Sequence, residues 1–128
     1  MVKHGEEKRP RDTRERCFAF ALMAVRLHQE LQVGKDRAGW IIGGQFMRAA
    51  TSVGANMEEA QASESRNDFI HKCGVSCKEA RESLFWLKLM SRAGLLPPAR
   101  LAPLIQEADE IVSVVTAIVL SAKGGRRR

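Results

Sequence analysis

Residues 43–60 read GGQFMRAATSVGANMEEA, a stretch that combines many small residues with a polar face at helical spacing. The pattern predicts a helix from about residue 38 to residue 62 whose centre contains three glycines, Gly43, Gly44 and Gly54. Glycine inside a helix costs up to about 1 kcal/mol relative to alanine, so three of them need a compensating gain. Close approach of a neighbouring helix is the simplest such gain, because small residues let two backbones come together.

Three further helices flank this one along the chain of 128 residues, a length typical of one domain. Apolar residues at three- and four-residue spacing predict them over about residues 13–32, 66–92 and 98–122. Residues 111–120 are rich in β-branched side chains, but the same spacing continues unbroken from Leu101 and favours helix over strand. The aromatic content of 5% and the absence of tyrosine argue against a β-sandwich or barrel. Because short loops join antiparallel neighbours, we expect an all-α, up-down-up-down antiparallel four-helix bundle over residues 12–122.

The predicted first helix carries two apolar stripes instead of one, which suggests contacts on more than one of its sides. One stripe consists of Phe18, Leu22 and Val25, and the other of Phe20, Ala24, Leu27 and Leu31.

The net charge of +6 lies at the two ends of the chain. Residues 1–16 carry six basic and four acidic side chains, and residues 17–122 carry equal numbers of each sign. We expect residues 1–11 to be a disordered polar N-terminus and residues 123–128 to be a flexible basic tail. The tail is either a solvated terminus or a set of nucleic-acid contacts, and the candidate contacts are Lys123, Arg126, Arg127 and Arg128.

Polar residues occupy one face of each of the two central helices. On the second helix they are Arg48, Ser52, Asn56 and Glu59, and on the third they are Asp68, Lys72, Glu79 and Glu82. If the two helices fold as a hairpin about residue 65, residues equally far from the turn meet at the same height. That geometry predicts Arg48–Glu82 and Glu59–Lys72 contacts, with Ser52 and Asn56 forming hydrogen bonds between them. Such pairs fix the register of two helices more than they add stability.

A catalytic or metal-binding function competes with this structural interpretation. Glu79-x-x-Glu82 and Asp68-x-x-His71 loosely resemble the carboxylate sites of ferritin-like bundles, which need a Glu-x-x-His on each of two helices. The predicted fourth helix contains no histidine, so the ligand set is incomplete. No nucleophile motif or phosphate loop is present in the sequence. We therefore expect no catalytic residues, no metal and no cofactor.

The cysteine pattern and the hydropathy of the sequence indicate the cellular compartment of the protein. Cys17, Cys73 and Cys77 are odd in number and form no CxxC pair, a pattern typical of reduced cytosolic thiols. No apolar run reaches the roughly 18 residues needed to span a bilayer. We expect a cytoplasmic protein with no membrane partner.

The motifs of the two central helices also resemble a known family. These motifs are RAATSVGANMEEA at 48–60, SRNDFIHK at 65–72 and KEARESLFWL at 78–87. They are similar to the bacterial four-helix-bundle family that includes proteins encoded in intervening sequences of 23S rRNA genes. The resemblance implies a homopentameric ring, and it extends to the accessory protein of diversity-generating retroelements, which partners a reverse transcriptase and RNA.

Two functions from different classes follow from these observations. The first is a nonenzymatic oligomer that binds RNA, DNA or a nucleic-acid enzyme. The second is a structural scaffold that binds a protein partner and makes no nucleic-acid contact.

Overall fold

A computed structural model describes residues 12–124 as a four-helix bundle, and no strand occurs among them. The helices are α1 (Thr13–Val33), α2 (Arg37–Gln61), α3 (Arg66–Arg92) and α4 (Pro98–Gly124). The prediction of helix over residues 111–120 is therefore confirmed. The predicted disordered N-terminus, residues 1–11, lies outside the described residues.

Side-chain caps and one turn motif set the helix ends. Asp12, Asp36 and Ser65 each accept a hydrogen bond from a backbone N–H of the first turn that follows, as helix-starting residues do. At the end of α3, Gly94 adopts a φ of 71°, and the Leu95 N–H donates to the Met90 carbonyl at 3.0 Å. This left-handed glycine closes the helix in a Schellman motif.

The core is formed by small and medium-sized side chains of all four helices. Consecutive helices pack against each other along the chain, whereas α1 and α4 touch each other much less. The only aromatic pair at the centre is Phe20 and Phe46, whose ring centroids lie 5.9 Å apart in an edge-to-face arrangement within the described residues.

The glycines at positions 43, 44 and 54 of α2 lie against α1, as the close-approach hypothesis requires. A Cβ on Gly54 would lie 3.2 Å from the Cys17 carbonyl oxygen, and one on Gly43 would lie 2.5 Å from Leu31 Cδ1. A Cβ on Gly44 would lie 3.5 Å from His28 Cε1, which is ordinary contact. A Cβ at Gly54 would therefore press on backbone, one at Gly43 would require the Leu31 side chain to move, and one at Gly44 would have room.

Two details of the helices differ from expectation. Helix α4 continues to Gly124, so Lys123 lies in the last helical turn and not in a loose tail. In α1 the stripe of Phe20, Ala24, Leu27 and Leu31 is buried, but Phe18 remains 67% exposed. The stripe that contains Phe18 therefore makes little contact within this chain.

Candidate interaction surfaces

Arg48 joins α2 to α3 through two carboxylates. Its Nη2 donates to Glu82 Oε2, and its Nη1 lies 3.6 Å from Glu79 Oε1. The Trp86 indole N–H donates to the same Glu82 oxygen at 2.9 Å. Glu82 therefore accepts from both neighbours, and the arrangement is a small polar network instead of a single pair.

The second predicted pair, Glu59 and Lys72, lies nearer the turn between α2 and α3. Lys72 Nζ donates to Glu59 Oε1 at 2.7 Å. This hydrogen bond, with the attraction of the carboxylate, raises the pKa of Lys72 above its usual value. The pair stands alone at the surface, without the additional partners that Arg48 has.

Ser52 and Asn56 do not bridge the two helices as the sequence suggested. The Asn56 amide donates to the Ser52 carbonyl of its own helix at 2.9 Å, because a short side chain reaches the carbonyl four residues earlier. An uncharged hydrogen bond that does cross between α2 and α3 comes from Ser76, whose buried hydroxyl donates to the Val53 carbonyl at 2.9 Å. Sequence reasoning missed Ser76, although its place among Cys73, Cys77 and Ala80 marks it as a core position.

The acidic side chains do not gather into a ligand set. Among residues 12–124, no group of three or more His, Cys, Asp or Glu side chains could hold a metal ion. Glu79 and Glu82 are directed at Arg48. The thiol of Cys17 is buried, which raises its pKa to about 12, and burial also raises the pKa of Cys73. High pKa values keep both thiols protonated and poorly nucleophilic at neutral pH.

Ion pairs also connect the loosely packed helices α1 and α4. Arg16 donates to Glu107 through Nε at 2.7 Å and through Nη2 at 2.9 Å, and Nη2 also reaches Glu110. The hydrogen bonds to Glu107 raise the pKa of Arg16 above its ordinary value. Near the other end of α1, Glu30 accepts from Arg100 at 2.8 Å.

An apolar groove runs along the surface between α1 and α2. It has a volume of about 460 Å³, and Phe18, Leu22 and Val25 supply its α1 side. Ala55 and Glu58 belong to its α2 side. The exposed stripe of α1 is thus one wall of a concave apolar surface.

The outer face of α3 is basic. Between residues 71 and 92, the exposed side chains are His71, Lys78, Arg81, Phe85, Lys88 and Arg92, and none is acidic. We call Lys78, Arg81, Phe85, Lys88 and Arg92 the basic face of α3. No ion pair within residues 12–124 involves its four cations.

The basic face of α3 was not predicted from the sequence, because the charges of residues 17–122 were summed as one segment. Of the eleven acidic residues within 17–122, seven engage cations outside the basic face: Glu30, Glu58, Glu59, Glu79, Glu82, Glu107 and Glu110. The available signal was the spacing of Lys78, Arg81, Lys88 and Arg92 by three, seven and four residues, which places them on one helical face.

The predicted tail contacts fall at the edge of the described chain. Lys123 is exposed in the last turn of α4, and Arg126, Arg127 and Arg128 lie outside the described residues. None of the four helices in residues 12–124 has both the length and the apolarity to cross a membrane.

Comparison with known proteins gives a matching family and similar solved structures. A sequence model of the family described as 23S rRNA-intervening sequence protein matches residues 12–117. A crystal structure is known of a protein with unknown function from the S23 ribosomal protein family of Bacteroides thetaiotaomicron. Its sequence is 29% identical to that of this chain, and the two structures superpose with a TM-score of 0.76. The similarity covers 84% of this chain and 98% of that one. No curated protein matches the chain.

Proposed function

We propose, from the premise that this chain belongs to the 23S rRNA-intervening sequence protein family, that it is a nonenzymatic oligomer that binds nucleic acid. The observation that carries the proposal is the basic face of α3. Its four cations stand exposed on one side of one helix, with no carboxylate paired to them in the described chain. Phosphate oxygens are the natural partners of such a surface.

The length of the basic face suits an extended polyanion. Lys78 and Arg92 are fourteen residues apart, which corresponds to about 21 Å along a helix that rises 1.5 Å per residue. Four cations along this distance offer several phosphates simultaneous contacts. Lys123 and residues 126–128 add further positive charge, and they act in this proposal as a secondary contact.

Self-association repeats the basic face. We propose a homopentameric ring of antiparallel up-down-up-down bundles. The contacts of Arg48 with Glu82 and of Lys72 with Glu59, at matched distances from one turn, support the antiparallel topology. The apolar groove between α1 and α2 supports an interface between unlike faces of neighbouring copies, as a ring requires. Light scattering should then give a mass near five chains, and a monomer would contradict the ring.

The same proposal makes the protein a cytoplasmic one without catalytic residues or cofactor. The three cysteines are free and buried, which is compatible with a reducing compartment. Arg48 and Glu82, and Lys72 and Glu59, are paired across α2 and α3, and in this proposal their role is to fix the register of the two helices.

Binding can be measured by fluorescence anisotropy with labelled RNA and DNA between 50 and 200 mM salt. Four phosphate contacts predict a slope of about −3 in log K against log salt for a single strand, which is about a 50-fold loss over that range. No binding at 50 mM salt would contradict the proposal.

Two triple variants with equal charge change localise the contact. The test variant is Lys78→Gln, Arg81→Gln, Lys88→Gln, and the matched control is Arg26→Gln, Lys35→Gln, Arg37→Gln. The control cations are also exposed and outside the ion pairs of residues 12–124. We expect the test variant to lower the magnitude of the slope by about 2 and the control to leave it unchanged. Equal losses in both would mean that binding depends on net charge and not on α3.

The alternative function is a protein-binding scaffold with no nucleic-acid contact, and the apolar groove favours it. A scaffold would retain its protein partner after nuclease treatment and after deletion of residues 123–128. A scaffold would not bind RNA or DNA at 50 mM salt, whereas the nucleic-acid-binding oligomer proposed above would.

A further inference from the structure

We infer that the basic face of α3 binds single-stranded nucleic acid in preference to duplex, with a base stacked on Phe85. This inference rests on the proposed function and names the class of nucleic acid that the surface takes. It adds a base contact to a surface that otherwise recognises only phosphates.

Phe85 lies between the cations and is open to solvent. Its side chain is 55% exposed, so its ring is accessible to a ligand. Arg81 lies four residues before it and Lys88 three residues after it, or about 6 Å and 4.5 Å along the helix axis. A base on the ring would therefore have a cation on each side for the flanking phosphates.

The Phe85 ring is supported from one side. It packs edge-to-face against Trp86, with ring centroids 4.9 Å apart and an interplanar angle of 71°. Trp86 donates to Glu82, and Glu82 accepts from Arg48 of the neighbouring helix. This chain of contacts ties the aromatic pair to α2, so less side-chain freedom is lost when a base stacks on the ring.

The shape of the surface favours a single strand. Helices α2 and α4 both pack against α3, and its exposed residues between 71 and 92 occupy an arc of about 100° at 100° per residue. A narrow exposed face offers few side chains to the floor of a groove, and the bases of a duplex are already stacked on one another. A flexible single strand can present an unstacked base to the ring, since every base has a π face.

The experiment compares four probes with the full chain and two variants. The probes are a 20-nucleotide oligo(U), a 20-nucleotide oligo(dT), a 20-base-pair DNA duplex and inorganic polyphosphate. The test variant is Phe85→Leu, which keeps an apolar side chain at an exposed position and leaves the cations in place. The matched control is Trp40→Leu, because Trp40 is exposed to a similar extent, 50%, on another helix.

We expect Phe85→Leu to weaken binding of both single strands by roughly fivefold or more, the loss typical of one stacked base. Binding of the duplex and of polyphosphate should change less than twofold, and Trp40→Leu should bind all four probes as the parent does. The Trp40→Leu protein also has Trp86 as its only tryptophan. Its fluorescence should change when oligo(U) binds and stay constant when polyphosphate binds.

Two outcomes overturn the inference. If single strands and duplex bind equally and Phe85→Leu loses nothing, the base contact is refuted while the phosphate-binding function stands. If none of the four probes binds at 50 mM salt, both the inference and the proposed function fail. Circular dichroism of Phe85→Leu establishes that a loss of binding is not a loss of fold.

Discussion

The Arg48 network and the isolated Glu59–Lys72 pair should contribute unequally to stability, although the sequence presents them as equivalent. One double-mutant cycle combines Arg48→Met with the joint change Glu79→Gln and Glu82→Gln. The other combines Lys72→Met with Glu59→Gln. We expect a coupling free energy of about 1 kcal/mol in the first cycle and a clearly smaller one in the second.

The difference follows from burial and from the number of partners. Glu79 is 24% exposed and Glu82 is 36% exposed, whereas Glu59 is 60% exposed to water that screens its charge. Removal of Arg48 alone leaves two carboxylates three residues apart on α3, and like charges at this spacing repel. Arg48→Met should therefore lower the free energy of unfolding by about 1–2 kcal/mol, and Lys72→Met should lower it by less.

Urea denaturation followed by circular dichroism at 222 nm measures each free energy, with the slope on urea as a check that the unfolded state is unchanged. Glutamine at position 82 retains an oxygen that accepts from Trp86, so the cycle isolates the charge. Equal couplings in the two cycles, or no effect of Arg48→Met, would refute the reasoning. Repetition in 1 M NaCl should reduce both couplings, because both pairs are partly solvent-exposed.

The other predictions concern packing, thiol chemistry and the α1–α4 contact. Gly74 has open space around the position of a Cβ, so Gly74→Ala should stabilise the protein by about 0.5–1 kcal/mol. Gly54→Ala should leave the stability of the protein unchanged or lower it, since the added Cβ would lie only 3.2 Å from the Cys17 carbonyl oxygen. The unfolding temperatures of the two glycine variants measure this difference. Iodoacetamide at pH 8 should label Cys17 only after unfolding, as mass spectrometry would show, because burial raises its pKa to about 12. The folded state keeps the Cys17 thiol protonated up to a higher pH than the unfolded state does. The contribution of this thiol to the free energy of unfolding should therefore fall between about pH 9 and pH 12, as the unfolded thiol ionises. Arg16→Met should cost about 1–2 kcal/mol in urea denaturation, because it leaves the half-buried Glu107 without its bidentate partner.

Each of these predictions has an opposing result. If Gly54→Ala stabilises the protein as much as Gly74→Ala does, α1 and α2 are not in steric contact at Gly54. Rapid labelling of Cys17 in the folded protein would contradict its burial. An unchanged free energy of unfolding in Arg16→Met would mean that apolar packing alone holds α1 to α4.

Local sequence signals were enough for the helices and for the two long-range ion pairs. Caps such as Asp12 and the left-handed Gly94 act on their own neighbours, so the chain reveals them without knowledge of the fold. The Arg48–Glu82 contact could be placed because two helices joined by a short turn rise equally on either side of it. The crowding at Gly54 was predictable for a related reason, because three glycines in one helix imply a close neighbour.

The partners of uncharged side chains were not predictable in the same way. Ser52, Asn56 and Ser76 all lie near the interface of α2 and α3, and only Ser76 donates across it. A rotation of a helix by a few tens of degrees decides whether a short side chain reaches the neighbour or its own preceding turn. Long ionic side chains tolerate that rotation, which is why the ion pairs were found and the hydroxyl bond was missed.

The sequence by itself determined the four helices, the close contact at the glycines and the heights at which the charged residues meet. Only the tertiary structure decided which side of each helix faces outward. That choice exposes Phe18 while it buries Phe20, and it separates the cations of α3 from the carboxylates that balance them in the count. The physical reason is that helical periodicity relates residues within one helix, whereas the rotation of each helix about its axis is set by packing against the others.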